Sequence, residues 1–195
     1  METTDRYVYM DHSATTPVDP RVVEAMLPYW HKHFGNSESS HRLGREAANA
    51  LESARQTVAD VLDCRPADIV FTGSGTESDN LAIRGAAWAA IKRGDGCHIV
   101  TTPIEHHAVG HTVDQLCDLF GCEATRVPVD AYGQVSADDV LQAIRPDTVL
   151  VSVMMANNEI GSVQPMVKIG RICREHGILF HTDAVQTPGR LPLEV

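Results

Sequence analysis

The chain has 195 residues, 43% of them hydrophobic, which is enough apolar material for a sizeable core and excludes a disordered chain. A net charge of −10 excludes a surface built for nucleic acid or for an anionic membrane. The five cysteines, Cys64, Cys97, Cys117, Cys122 and Cys173, are odd in number and contain no C-x-x-C pair, so they read as thiols in a reducing cytosol, not as a disulfide framework or a zinc ribbon.

The opening residues, METTDRYVYMDHS, hold no apolar leader, and no stretch approaches the ~20 apolar residues of a membrane span. These features point to a cytoplasmic chain with no membrane or nucleic-acid partner. A short strand is predicted near Tyr7–Met10. Asp19 then caps a helix with Pro20 at its first position, and Gly35 is expected to close it. A long helix is predicted from about Ser40 to Leu62, with Ala47, Leu51, Ala54, Val58 and Val61 or Leu62 at helical spacing. Ile69–Thr72 reads as a short strand, followed by a helix from about Thr76 to Lys92. His98–Thr102 is the next strand, followed by a helix from about Ala108 to Phe120 and a strand near Glu123–Val127. Ser136 with Asp139 opens another helix. Thr148–Met155 has the continuous apolar character of a strand covered on both faces. A helix from about Met166 to His176 ends at Gly177, and Ile178–Thr182 is the last strand. Strands alternating with helices imply an α/β fold, a three-layer sandwich with a mainly parallel sheet.

Ligands of such sheets sit beyond the carboxyl ends of the strands. The residues following four of these strands are GSGTESDN, PIEHH, ANNEIG and DAVQ. In GSGTES, Gly73 and Gly75 allow close approach of the backbone. The N–H groups of Gly75 and Thr76, with the Thr76 hydroxyl, suit an anion; an ordinary capped turn reads the same way. It is no P-loop, and Ser78 stands where a dinucleotide fingerprint needs glycine. Asp183 follows an apolar run ending in His181. A carboxylate there either caps a helix, pairs with an arginine, or faces a cationic ring nitrogen. Gln186 could reach an oxygen on the same ring. His106 could lie against a ring or be an ordinary satisfied histidine. His107 and His111 have metal-ligand spacing but lack the acid of H-E-x-x-H, and no metal site is assigned. His31 and His33 read as a solvated helix end. An anion site, a ring neighbour, an amide pair and an acid together suit pyridoxal 5′-phosphate, whose protonated ring is an electron sink.

The blocks YMDHSATTPVDPRV, FGNSESSHRLGREA, FTGSGTESDNLAI, EHHAV, NNEIGSVQP and FHTDAVQTPGRLPLEV, in this order along the whole chain, resemble the NifS/IscS-type cysteine desulfurases of the class V aminotransferase-like enzymes. The resemblance implies an aspartate-aminotransferase-like large domain (PLP fold type I), incomplete here. Residues 1–15 would be an N-terminal arm and 16–195 part of the large domain. It further implies that Gly75 and Thr76 hold the cofactor phosphate. His106 would stack on the pyridine and assist proton transfer as the catalytic residue. Asn158 would serve both cofactor and substrate, Asp183 the ring nitrogen, and Gln186 the ring hydroxyl. Ser13, Ala14 and Thr15 would lie near the substrate. The chain reads Gly73-Ser74-Gly75 where the family often reads Ser-Gly-Ala, a change the backbone should tolerate.

A larger departure concerns the family's Schiff-base lysine, persulfide cysteine, carboxylate-binding arginine and small domain, none of which has a counterpart here. The lysines are Lys32, Lys92 and Lys168, all in predicted helices. The resemblance therefore implies the N-terminal half of an enzyme that converts L-cysteine to L-alanine and an enzyme-bound persulfide, a homodimer serving a sulfur-acceptor scaffold in iron–sulfur cluster assembly. This chain alone is expected to be inactive. Selenocysteine lyase or another class V activity, and a non-catalytic cofactor-binding or interaction fragment, are the alternatives.

Overall fold

The computed structural model describes residues 7–192. The chain forms two compact units that divide between Val70 and Phe71. In the first, α1 (Pro20–His31) starts as its sequence dictates: the Asp19 carboxylate accepts the Arg21 N–H at 2.8 Å. It ends at His31, before Gly35. Gly35 has a different job, because a Cβ there would come within 2.2 Å of the Leu43 carbonyl oxygen. Only a glycine lets the chain press this closely on the start of α2 (Arg42–Leu62). The expected apolar stripe of α2 is half-buried at Ala47, Val58 and Leu62 but exposed at Leu51, Ala54 and Val61. A single 3-10 turn follows at Pro66–Asp68.

Two expected strands are absent. Tyr7–Met10 and Ile69–Thr72 pair with no strand among the described residues. Apolar, β-prone residues become a strand only when a neighbour supplies ladder hydrogen bonds, and Tyr7, Met10 and Val70 are instead exposed.

The second unit holds a four-stranded, all-parallel sheet in the order β2-β1-β3-β4, built from β1 (His98–Thr101), β2 (Glu123–Arg126), β3 (Thr148–Ser152) and β4 (Leu179–His181). Its helices are α3 (Gly75–Arg93), α4 (His107–Phe120), α5 (Ala137–Ala143) and α6 (Met166–His176). The two-residue period of a strand splits the core. Ile99 and Leu150 pack with Ile83, Ala87, Val109, Val113 and Leu116 from α3 and α4. Val100 and Val151 pack with Val140, Ile169 and Cys173 from α5 and α6. The sheet is therefore the middle layer of three, as its apolar runs imply.

Not all the cysteines are thiols. Cys97 and Cys122 are joined as a disulfide. The register explains the pairing: His98 lies opposite Glu123, so the residues just before them are brought side by side, with Cα atoms 4.7 Å apart. Counting cysteines along the sequence misses a pair that only the strand register creates. Cys64, Cys117 and Cys173 are free, and burial pushes the Cys173 thiol up to about 11, which makes it inert at neutral pH.

Candidate functional site

The chain leaves β1 for β2 on one side and returns through β3 on the other, so the sheet order reverses at β1. Such a switch point opens a crevice beyond the carboxyl ends of the two central strands. The connection after β1 (102–106) and the start of the connection after β3 (from 153) meet there. Glu105 bridges them: its Oε1 accepts the Thr102 hydroxyl at 2.6 Å and the Met154 N–H at 3.0 Å. Its Oε2 is buried with no hydrogen-bond partner among the described residues. Burial pushes the Glu105 carboxyl up to about 7, and the hydrogen bonds from Thr102 and Met154 only partly oppose this. Asn157, itself buried, ties the same two connections. Its amide donates to the Ile104 carbonyl at 2.9 Å, and its Oδ1 accepts the N–H groups of Glu159 and Ile160.

Alongside this crevice, α3 begins at Gly75. The Ser74 hydroxyl accepts the Glu77 N–H at 3.2 Å, and the Glu77 carboxylate turns back to the Gly73 N–H at 2.6 Å. The N–H groups of Gly75 and Thr76 make no hydrogen bond within the described structure. A Cβ on Gly75 would meet a Val185 methyl at 2.8 Å, so the glycine allows the DAVQ turn to lie against the start of α3. A cavity of about 370 Å³ opens between α3 and α4, lined by Thr76, Asn80 and Arg84 on one side and His106, His111 and Thr112 on the other.

His106 is the N-cap of α4, and its Nδ1 accepts the Ala108 N–H at 3.1 Å. Nδ1 is thus unprotonated, and the neutral ring carries its proton on Nε2. One carboxylate oxygen each from Asp79 and Asp183 and one ring nitrogen of His106 all lie within 4.8 Å of one another. The spacing suits a cation. With Nδ1 committed and Nε2 protonated, the histidine is poorly prepared as a metal ligand. A cation that brings its own N–H, such as a pyridinium, needs only the carboxylates.

The structure therefore brings Gly75, Thr76, His106 and Asp183 to one edge. Asp183 makes an Asx-turn as well, with Oδ1 accepting the Val185 N–H at 3.0 Å. Asn158 follows Asn157 in the same connection and donates to Glu159 at 3.1 Å. Gln186 accepts from Arg190 at 3.0 Å. Ser13, Ala14 and Thr15 belong to the first unit, in an exposed turn where the Ala14 and Thr15 N–H groups reach the Asp11 carbonyl. The rings of His107 and His111 stack on each other, 5.1 Å apart. Sequence reasoning missed Asp79, Glu105 and Asn157. Asp79 had a signal, an acid in helical register with the buried Ile83, Ala87 and Ala90.

The class V aminotransferase family model matches residues 8–195. Over all 195 residues the chain is 51% identical to "Cysteine desulfurase IscS" of Methanosarcina thermophila and covers 48% of it. It is 48% identical to "Putative cysteine desulfurase IscS 1" of Bacillus subtilis (strain 168), with 96% of this chain and 49% of that protein covered. Among solved structures, a "NIFS-LIKE PROTEIN" matches at 42% identity with a TM-score of 0.91, covering 96% of this chain and 51% of that one. "SspA in complex with cysteine" matches at 40% identity with a TM-score of 0.92, covering 96% and 53%. The chain spans about half the length of the curated relatives it matches. The family match along nearly the whole sequence, with a parallel three-layer sheet that gathers its polar residues at one edge, makes this chain a member of the class V aminotransferase family.

Proposed function

We propose that the chain forms one wall of a pyridoxal 5′-phosphate site in a cysteine desulfurase, acting on L-cysteine to give L-alanine and protein-bound persulfide sulfur. The observation that carries the reading is the convergence of two acids and a histidine within 4.8 Å beside a helix start with unpaired N–H groups. The relatives' names and the cysteine complex of a structural neighbour support the substrate class.

The residues present fit the cofactor. Gly75 and Thr76 offer N–H groups and a hydroxyl to its phosphate, and the start of α3 adds its dipole. Asp183 offers Oδ2 to the ring nitrogen, since Oδ1 is held by the Val185 N–H. His106, fixed by its own cap, keeps an Nε2 proton to hold or pass on. Gln186 serves the ring hydroxyl, Asn158 the ring-oxygen and substrate side, and Ser13 to Thr15 the substrate. When bound, the cofactor supplies an electron sink for charge developing at the substrate's α-carbon. The reading includes a homodimer, whose polar SATTP and GNSESSH segments suit a two-fold contact, and a sulfur-acceptor partner.

Calorimetric titration with pyridoxine 5′-phosphate, which has no aldehyde to react with lysines, tests the site. One saturable site per chain is expected, weakened about tenfold or more by Asp183→Ala, the loss of a charge-assisted hydrogen bond. Absence of saturable binding, or an affinity indifferent to Asp183→Ala, overturns the reading.

A further inference from the structure

The period of two places Ser152, like Leu150, on the α3 face of β3, and the β3–β4 register sets Ser152 opposite His181. The Ser152 hydroxyl, fully buried, lies 2.9 Å from His181 Nδ1 and has no other side-chain hydrogen bond among the described residues. This contact orients the imidazole so that its other nitrogen, Nε2, faces α3. That Nε2 lies 3.4 Å from Asp79 Oδ1. Asp79 is only 5% exposed, and no arginine or lysine pairs with it or with Asp183 among the described residues. A buried carboxylate with no arginine or lysine beside it is short of a permanent countercharge. Asp79 lies beside Asp183, on the side where a cation would complete both.

We propose that Asp79, anchored by the Ser152–His181 pair, is a positioning residue that joins Asp183 in a carboxylate pair around the cofactor's ring nitrogen and holds the proton there. The proposal rests on the cofactor reading above. The titratable groups around this place are Asp79 from α3, His181 from β4, Asp183 after it, His106 at the cap of α4 and Glu105 from the β1–α4 connection. Glu105, raised by burial to about 7, is largely protonated below neutral pH and ionises above it, alike in wild type and in the Asp79 and Asp183 variants compared. The differences between these chains therefore report on Asp79 and Asp183 alone. A second carboxylate within reach of a protonated nitrogen stabilises the charged ring more than the neutral one, so the proton stays on to higher pH.

The test follows the near-ultraviolet absorbance of pyridoxine 5′-phosphate bound to the chain as pH is raised, which reads the ring's protonation directly. The bound ring should hold its nitrogen proton to a pH above that of the free ring. Asp79→Asn, which keeps size and hydrogen bonding, should lower that transition by about one pH unit, a tenfold change in the proton equilibrium. Ser152→Ala, which leaves the Asp79 charge but frees its anchor, should move it the same way by less, and Asp79→Glu should restore most of it. A transition unmoved in Asp79→Asn but moved in Asp183→Asn overturns the pair and leaves the cofactor reading intact. Should Asp79→Asn fold poorly, the Ser152→Ala shift decides, and a wild-type transition in that variant overturns the proposal. No saturable binding of the probe by the wild-type chain overturns the cofactor reading and the pair with it.

Discussion

Glu105 is an acid placed where water is scarce, and its titration should be visible in stability. Burial raises its carboxyl from an ordinary value near 4.5 to about 7. Between these values the native chain binds a proton that the unfolded chain does not. The native state is therefore favoured on the acid side and loses stability as pH rises from 4.5 through 7. The loss is on the order of 3 kcal/mol. Urea unfolding of wild type and Glu105→Gln at pH 5 to 8 should show the difference between them moving in the variant's favour as pH rises. A flat difference would mean that Glu105 is not buried. The comparison cancels His98, whose imidazole is pushed down by burial and which costs stability as pH falls through the ordinary histidine range, equally in both chains. Glu105 was unreadable as a buried acid because the donor that seats it, Met154, is 49 residues away. Asn157 was passed over for the same reason, since its partner Ile104 lies 53 residues back.

At the scale of elements, the caps Asp19 and Ser136 were legible, because each accepts an N–H from two or three residues on. Ser74, His41 and His106 cap as locally, but the first lay in a turn that also suits an anion and histidine is not a usual capping residue. Ser74→Ala should lower stability by about 1 kcal/mol, the usual worth of an N-cap, read as a shift in the urea midpoint with an unchanged slope. It should also loosen the α3 start and weaken pyridoxine 5′-phosphate binding. An unchanged midpoint would show that Glu77, through Gly73, holds the start without Ser74. Strands were less legible. Val70 and Phe71 resemble the residues of β3 in kind, yet they join no ladder, because pairing is a property of two segments and not of one.

Across the whole second unit, one covalent link joins the residues just before β1 and β2. The Cys97–Cys122 bridge closes a loop of 25 residues. In the chain-entropy picture this stabilises by roughly 3–4 kcal/mol. Thiol labelling of the chain, unfolded without reductant, should count three free cysteines, and adding reductant should lower the melting temperature. Five labelled cysteines, or a melting temperature blind to reductant, would remove the bridge. The first unit presents a different problem. α1 exposes Val22, Met26, Leu27 and Trp30, and none of its residues is buried. So much apolar helix surface leaves this unit with little core of its own.

The sequence by itself determined the alternation of strands and helices over most of the second unit, the covered sheet, the Asp19 and Ser136 caps, and the placing of His106 and Asp183 beyond the carboxyl ends of strands. All of these follow from periodicity and from hydrogen bonds a few residues long. The tertiary structure alone decided which strands pair, which two cysteines meet, and which buried groups stand behind the visible site. Strand order and register set those contacts: Ser152 reaches His181, and Glu105 reaches Met154, only because β3 lies between β1 and β4.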